Sequence, residues 1–154
     1  MKQKGEILHS FLQKYLDCIV FLHNTRMAET AKLIIDEGFI FENQLAHSTD
    51  RVNASEQIET TYFLFQRKDY GPYTIIIAIP KKTYNLYTRY SNQFEIPVEE
   101  LISKTKPYMG ENDEFIYVMP PQHIAGYFDN NSGEFVRNPL FSTAYIAYRD
   151  REDF

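Results

Sequence analysis

A chain of 154 residues is about one domain's worth, since domains cluster near ~100–150 residues around a single core, and one domain over residues 1–154 is expected. Apolar residues make up 44% and charged residues 24%, close to the globular average, which argues against intrinsic disorder and against a core that needs staples. Sixteen Lys plus Arg against 21 Asp plus Glu give a net charge of -5, the wrong sign for general nucleic-acid binding, although a local basic patch stays open. The single cysteine, Cys18, cannot form an internal disulfide and supplies too few thiolates for a structural zinc or iron–sulfur site. No metal is expected, and a reducing, cytoplasmic compartment fits. The longest apolar runs, Cys18 to Leu22 and Ile75 to Ile79, fall well short of the ~20 residues that cross a bilayer, so no membrane association is expected. Lys2 and Lys4 precede a stretch broken by His9, Gln13, Lys14 and Asp17, which does not read as a signal core.

From Ile7, the apolar positions Leu8, Phe11, Leu12, Tyr15 and Leu16 recur at three- and four-residue spacing and predict an amphipathic helix. Cys18 to Leu22 is continuous and rich in branched or aromatic residues, a buried strand that ends at His23-Asn24-Thr25. Thr25 suits an N-cap for a helix carrying Ala28, Ala31, Ile34 and Ile35 inward, with Gly38 as its stop. Phe39-Ile40-Phe41 starts a second strand. Glu42 to Asn53 lacks either period and predicts a loop long enough to be functional. Ser55 opens a helical face of Ile58, Tyr62 and Phe65 that closes at Gly71-Pro72, though Thr60 to Phe63 also suits a strand.

Tyr73 to Ile79 predicts a strand central in its sheet, stopped by Pro80. Lys81 to Asn92, tyrosine-rich at Tyr84, Tyr87 and Tyr90, reads as an irregular or edge strand. Pro97 opens a short helix over Val98 to Ile102, with acids in its first turn. A turn at Gly110 to Asp113 precedes a strand from Glu114 to Met119. His123 to Phe128 and Glu134 to Arg137 predict a hairpin around Asp129-Asn130-Asn131-Ser132-Gly133. The tail from Arg149 to Asp153 reads as solvated or frayed.

The four histidines, His9, His23, His47 and His123, have no metal-ligand spacing, and the six glycines are too scattered for a phosphate loop. Cys18 lies in a run expected to be buried, where thiols are usually inert. His23, at a strand end, suits either a site or a plain hydrogen bond to loop backbone. Arg67-Lys68 and Lys81-Lys82 flank the central strand and suit phosphate contacts or a solvated face. Glu114 enters an aromatic strand directly after a turn, which suits either a cleft carboxylate or a surface acid beside Asp113.

The order of these pieces resembles the ADP-ribosyltransferase family: a strand ending in His23-Asn24-Thr25, a helix to Gly38, a polar loop and helix, the strand from Tyr73, and then Glu114-Phe115-Ile116-Tyr117-Val118. The run from Asp113 to Ile124 is similar to the glutamate strand of poly(ADP-ribose) polymerase-type transferases, where Glu-Tyr-Ile-Val-Tyr precedes a Pro-x-Gln stretch. The resemblance implies an α+β fold of two small, mostly antiparallel sheets forming a central cleft with flanking helices. It implies NAD as co-substrate, His23 hydrogen-bonding a ribose, Glu114 as the catalytic glutamate, and Asn24 standing where the family commonly has a glycine. The middle element would come from Tyr62 or from Ser48-Thr49, with Tyr62 or Tyr73 packing on the nicotinamide. Thr25 completes the strand-end group.

The implied activity is NAD-dependent transfer of ADP-ribose to an unidentified macromolecular acceptor. Cleaving the nicotinamide–ribose bond develops positive charge on the sugar, as in glycoside hydrolysis, and a fixed carboxylate stabilises that charge and orients the nucleophile. The rival expectation is a catalytically inactive module of the same architecture that binds a nucleotide or a protein partner, for which the acidic balance suits a basic protein.

Overall fold

The computed structural model describes residues 13–52 and 71–154. The predicted N-terminal helix lies largely outside them, with a single 3-10 turn at Gln13–Tyr15 inside, and the segment around Ile58, Tyr62 and Phe65 lies outside entirely. The described chain is α+β and forms two antiparallel sheets. In chain order the elements are β1 (Cys18–Thr25), α1 (Ala28–Glu37), β2 (Phe39–Glu42), α2 (Leu45–Ser48), β3 (Asp50–Val52) and β4 (Tyr73–Pro80). There follow α3 (Lys81–Phe94), α4 (Val98–Ile102), β5 (Tyr108–Met109), β6 (Phe115–Met119), β7 (Ile124–Asp129) and β8 (Glu134–Arg137). The larger sheet has the order β3-β1-β4-β7-β8 and the smaller one β2-β6-β5.

β4 is the middle strand of the large sheet, as its unbroken apolar run predicts, and both of its faces are covered. One face presents Ile75, Ile77 and Ile79 to a core shared with Phe21, α1, the small sheet and α3. The other presents Ile76 and Ala78 to Val20, Leu22, Val52, Ala125 and Phe128. The main core therefore lies between the two sheets. The predicted hairpin is β7–β8, with Asp129 opposite Glu134.

Four expectations are corrected. Lys81 to Asn92 belongs to a fourteen-residue helix, not an edge strand. Thr83 and Tyr87 are buried and Tyr84 and Tyr90 pack against the same core, the three- to four-residue period of a helix, which outweighs the β-propensity of tyrosine. Glu42 to Asn53 is not all loop: α2 and β3 form there, the latter held by pairing Val20 with Val52 and Leu22 with Asp50. The cap of α1 is Met27, which makes no side-chain cap bond, so Thr25 remains in β1.

The tail is not frayed at Arg151. Its guanidinium is buried, donates to the carbonyls of Glu100 (2.5 Å) in the last turn of α4 and of Ser103 (3.4 Å) just past it, pairs with Asp153, and stands 4.5 Å from the Phe154 ring centre. The last carbonyls of a helix lack intrahelical partners, and a buried cation answers them.

Candidate functional site around His23

β1 pairs with β4 along all eight of its residues but with β3 only over Val20–Leu22. His23, Asn24 and Thr25 therefore lie past the end of β3, on a stretch of strand edge that β3 does not cover. Backbone groups along such an edge alternate in direction, so N–H and C=O groups there face away from β4 without a ladder partner among the described residues.

Side-chain alternation sends His23 to the inter-sheet face with Phe21, and Asn24 to the opposite face with Leu22. The imidazole lies 4.5 Å, centre to centre, from the ring of Phe39, the first residue of β2. Its Nδ1 is 2.8 Å from the Ser48 carbonyl at the end of α2. A carbonyl can only accept, so Nδ1 carries the proton and Nε2 presents a lone pair. Burial lowers the His23 pKa below its ordinary value, against the smaller upward pulls of the Ser48 carbonyl and Asp50. The neutral ring is thus favoured at pH 7, and its Nε2 has no protein partner among the described residues.

Two cavities meet at this ring. One, of about 300 Å³, is bordered by His23, Asn24 and the segment from Ala46 to Asp50. The other, of about 600 Å³, runs from His23 between α1 and the small sheet, with Leu33, Ile34, Ile40 and Val118 on its wall and Lys104 and Glu37 at its edge. Both volumes fall in the range of small-molecule sites. On the opposite face, the Asn24 side-chain oxygen Oδ1 is buried without a hydrogen-bond partner among the described residues.

Tyr73 pairs with Thr25, and Ile75 with His23, so His23, Thr25 and Tyr73 share one face at one end of the sheet. Tyr73 is half-buried and packs edge-on to Tyr127; neither it nor Thr25 borders the two cavities. Tyr62 lies outside the described residues.

Glu114 is elsewhere. It sits in the turn between β5 and β6, where its Oε2 accepts from the Asn112 backbone N–H at 2.8 Å and its own carbonyl accepts from Gly110 N–H at 2.7 Å. The carboxylate lies over Gly110, where a Cβ would stand 2.1 Å from Oε1, so a side chain there requires the Glu114 carboxylate to shift. Register separates this carboxylate from His23. The imidazole packs on Phe39, which pairs with Met119, five residues up the chain from Glu114 and roughly 16 Å along an extended strand. Glu114 borders neither cavity at His23.

The other sequence candidates are dispersed. Cys18 is half-buried, and burial raises its thiol pKa, so the thiolate is disfavoured. His123 is fully buried under the C-terminal segment. Among the described residues, no group of three or more His, Cys, Asp or Glu is placed to hold a metal ion, and no helix is long and apolar enough to cross a membrane. Three residues of the His23 site escape sequence reasoning: Phe39, Glu37 and Lys104 reach it only through the packing of the small sheet and α1 against β1, and no local pattern marks them. The chain matches no family model, and neither a curated protein nor a solved structure is recognisably similar to it.

Proposed function

We propose that this chain is an ADP-ribosyltransferase-like module that binds a ribose-bearing nucleotide of the NAD class at His23 without turning it over. The observation that carries the reading is the fixed tautomer of His23. Nδ1 is committed to the Ser48 carbonyl, the ring is neutral, and Nε2 is left as an acceptor on a ring that borders two cavities. A ribose hydroxyl is a donor of the right size and chemistry for that lone pair. The strand edge past β3 adds main-chain donors and acceptors beside it, and the apolar wall of the larger cavity suits the flat face of a base or nicotinamide.

The same geometry supports binding better than catalysis. Transfer needs a carboxylate beside the anomeric carbon as charge develops there, whereas the Glu114 carboxylate closes its own hairpin turn. ADP-ribosyl transfer to a macromolecular acceptor requires Glu114 to leave that turn.

Calorimetry with NAD tests the reading. The wild-type chain is expected to bind, His23→Ala to bind roughly tenfold or more weakly through loss of one buried-edge hydrogen bond, and Glu114→Gln to bind as the wild type does. Binding is expected to hold steady above neutral pH and to weaken on acidification, since protonating Nε2 removes the acceptor. Equal affinity in wild type and His23→Ala overturns the proposal. Release of nicotinamide that disappears in Glu114→Gln replaces it with the transferase reading.

A further inference from the structure

We infer that Lys104 makes the His23 cavity selective for a phosphorylated ligand over the corresponding nucleoside; this rests on the nucleotide-binding reading above. Lys104 follows α4 and projects to the edge of the larger cavity, where its Nζ donates to the backbone carbonyl of Glu37 at 3.2 Å. Glu37 is the last residue of α1, and its carbonyl is one of those a helix leaves without an intrahelical partner. That bond holds the ammonium over the cavity edge but uses only one of its three donors. No carboxylate forms an ion pair with Lys104 among the described residues.

Among the described residues, the charged and titratable residues lining the cavity are Lys104, Glu37 and His23, which is neutral. The remaining wall is largely apolar, from Leu33 and Ile34 on α1 and Ile40 and Val118 on the small sheet. A ligand whose hydroxyl meets His23 Nε2 and whose ring lies on that wall brings a phosphate attached to the same ribose toward Lys104. Two free N–H donors on a cation suit phosphate oxygens, and such charge-assisted bonds are stronger than neutral ones. Glu37 acts in the opposite sense, because its carboxylate opposes an anion on the same edge. The site thus carries one attractive and one repulsive charge whose effects on an anionic ligand have opposite signs and whose effects on a neutral ligand vanish.

Calorimetric titrations of the whole chain with NAD, ADP-ribose and adenosine test this. Lys104→Met is expected to weaken NAD and ADP-ribose by roughly five- to tenfold and to leave adenosine unchanged. Glu37→Gln is expected to tighten the two phosphorylated ligands, by a smaller factor, and Lys104→Arg to restore wild-type affinity. Both residues are exposed, so neither substitution threatens folding. NAD affinity that is the same in Lys104→Met and wild type overturns the role of Lys104 while leaving nucleotide binding intact. So does an equal loss for adenosine and NAD, which makes the lysine a structural support. If the wild-type chain binds none of the three ligands, the nucleotide reading fails and this inference fails with it.

Discussion

Gly126→Ala is expected to destabilise the chain by about 3 kcal/mol or more, enough to lower its melting temperature by roughly 10 °C. Gly126 lies in β7, opposite Ile76, beside the register shift between Ile76 and Ile77 of β4. Its φ of +152° is one that residues with a side chain rarely adopt. A Cβ built there stands 2.2 Å from the Val136 carbonyl oxygen and 2.6 Å from the Phe135 ring. The ring can rotate, but the carbonyl belongs to the backbone of β8, so the methyl group has to force the β7–β8 pairing apart. That hairpin closes one side of the core formed by Val20, Leu22, Ile76 and Phe128. Thermal unfolding followed by circular dichroism checks the prediction, and a midpoint within a degree or two of wild type contradicts it.

Acidification from pH 7.5 to 4.5 is expected to remove roughly 2–3 kcal/mol of stability through His123 alone. His123 is fully buried, and its Nε2 lies 2.8 Å from the Tyr87 hydroxyl. That hydroxyl also accepts from the Ala147 backbone N–H at 2.9 Å. With the Tyr87 O–H donating to Nε2, the hydroxyl is satisfied fully and only Nδ1–H is left, buried, without a partner among the described residues. Burial drives the His123 pKa down to about 4. The unfolded chain, with an ordinary value near 6.5, therefore binds more protons than the folded one between those limits. The contribution is intact above about pH 6.5 and is lost progressively as pH falls toward 4.

His23, whose pKa is also lowered, adds a loss of the same sign. Urea unfolding of wild type and His123→Gln at both pH values isolates the buried ring, because glutamine can accept from Tyr87 and does not titrate. The wild type should lose more stability than the variant over this interval, and equal losses contradict the assignment.

Much of the large sheet is legible in the sequence because its signals are local. β1 and β4 announce themselves as unbroken apolar runs, α1 ends at Gly38, and the β7–β8 turn carries its own Asn and Gly residues. Pro97 and the acids after it mark α4 for the same reason. What escapes depends on partners distant in the chain. β3 is three residues long and exists through its pairing with β1. Arg151 reads as a solvated charge because nothing near it shows that the carbonyls of Glu100 and Ser103 stand within reach. The tyrosines of α3 satisfy two descriptions at once, aromatic enough for a strand and spaced for a helix, and burial of Tyr87 decides between them.

The site divides along the same line. A polar residue at the end of a buried strand picks out His23 from sequence, whereas its tautomer is set by Ser48, twenty-five residues on. Asn24 and Thr25 follow His23 into the strand end, but alternation gives them different faces, and of the two it is Asn24 that borders a cavity at His23. For Glu114, the strand entry is as expected, with the strand itself beginning at Phe115. The direction of its carboxylate is a property of the tight turn from Gly110 to Asp113, where Asp113 adopts a left-handed backbone with φ 61°. The sequence pattern around that strand resembles a catalytic one, and the hydrogen bond to Asn112 gives the carboxylate a structural task.

The most direct measurement is a long-range nitrogen–proton NMR spectrum of the His23 imidazole with and without NAD. A neutral ring protonated at Nδ1 is expected in the free chain, with the Nε2 resonance moving on titration while Nδ1, held by Ser48, moves little. A ring protonated at Nε2 in the free chain, or a spectrum that NAD leaves unchanged, contradicts that expectation.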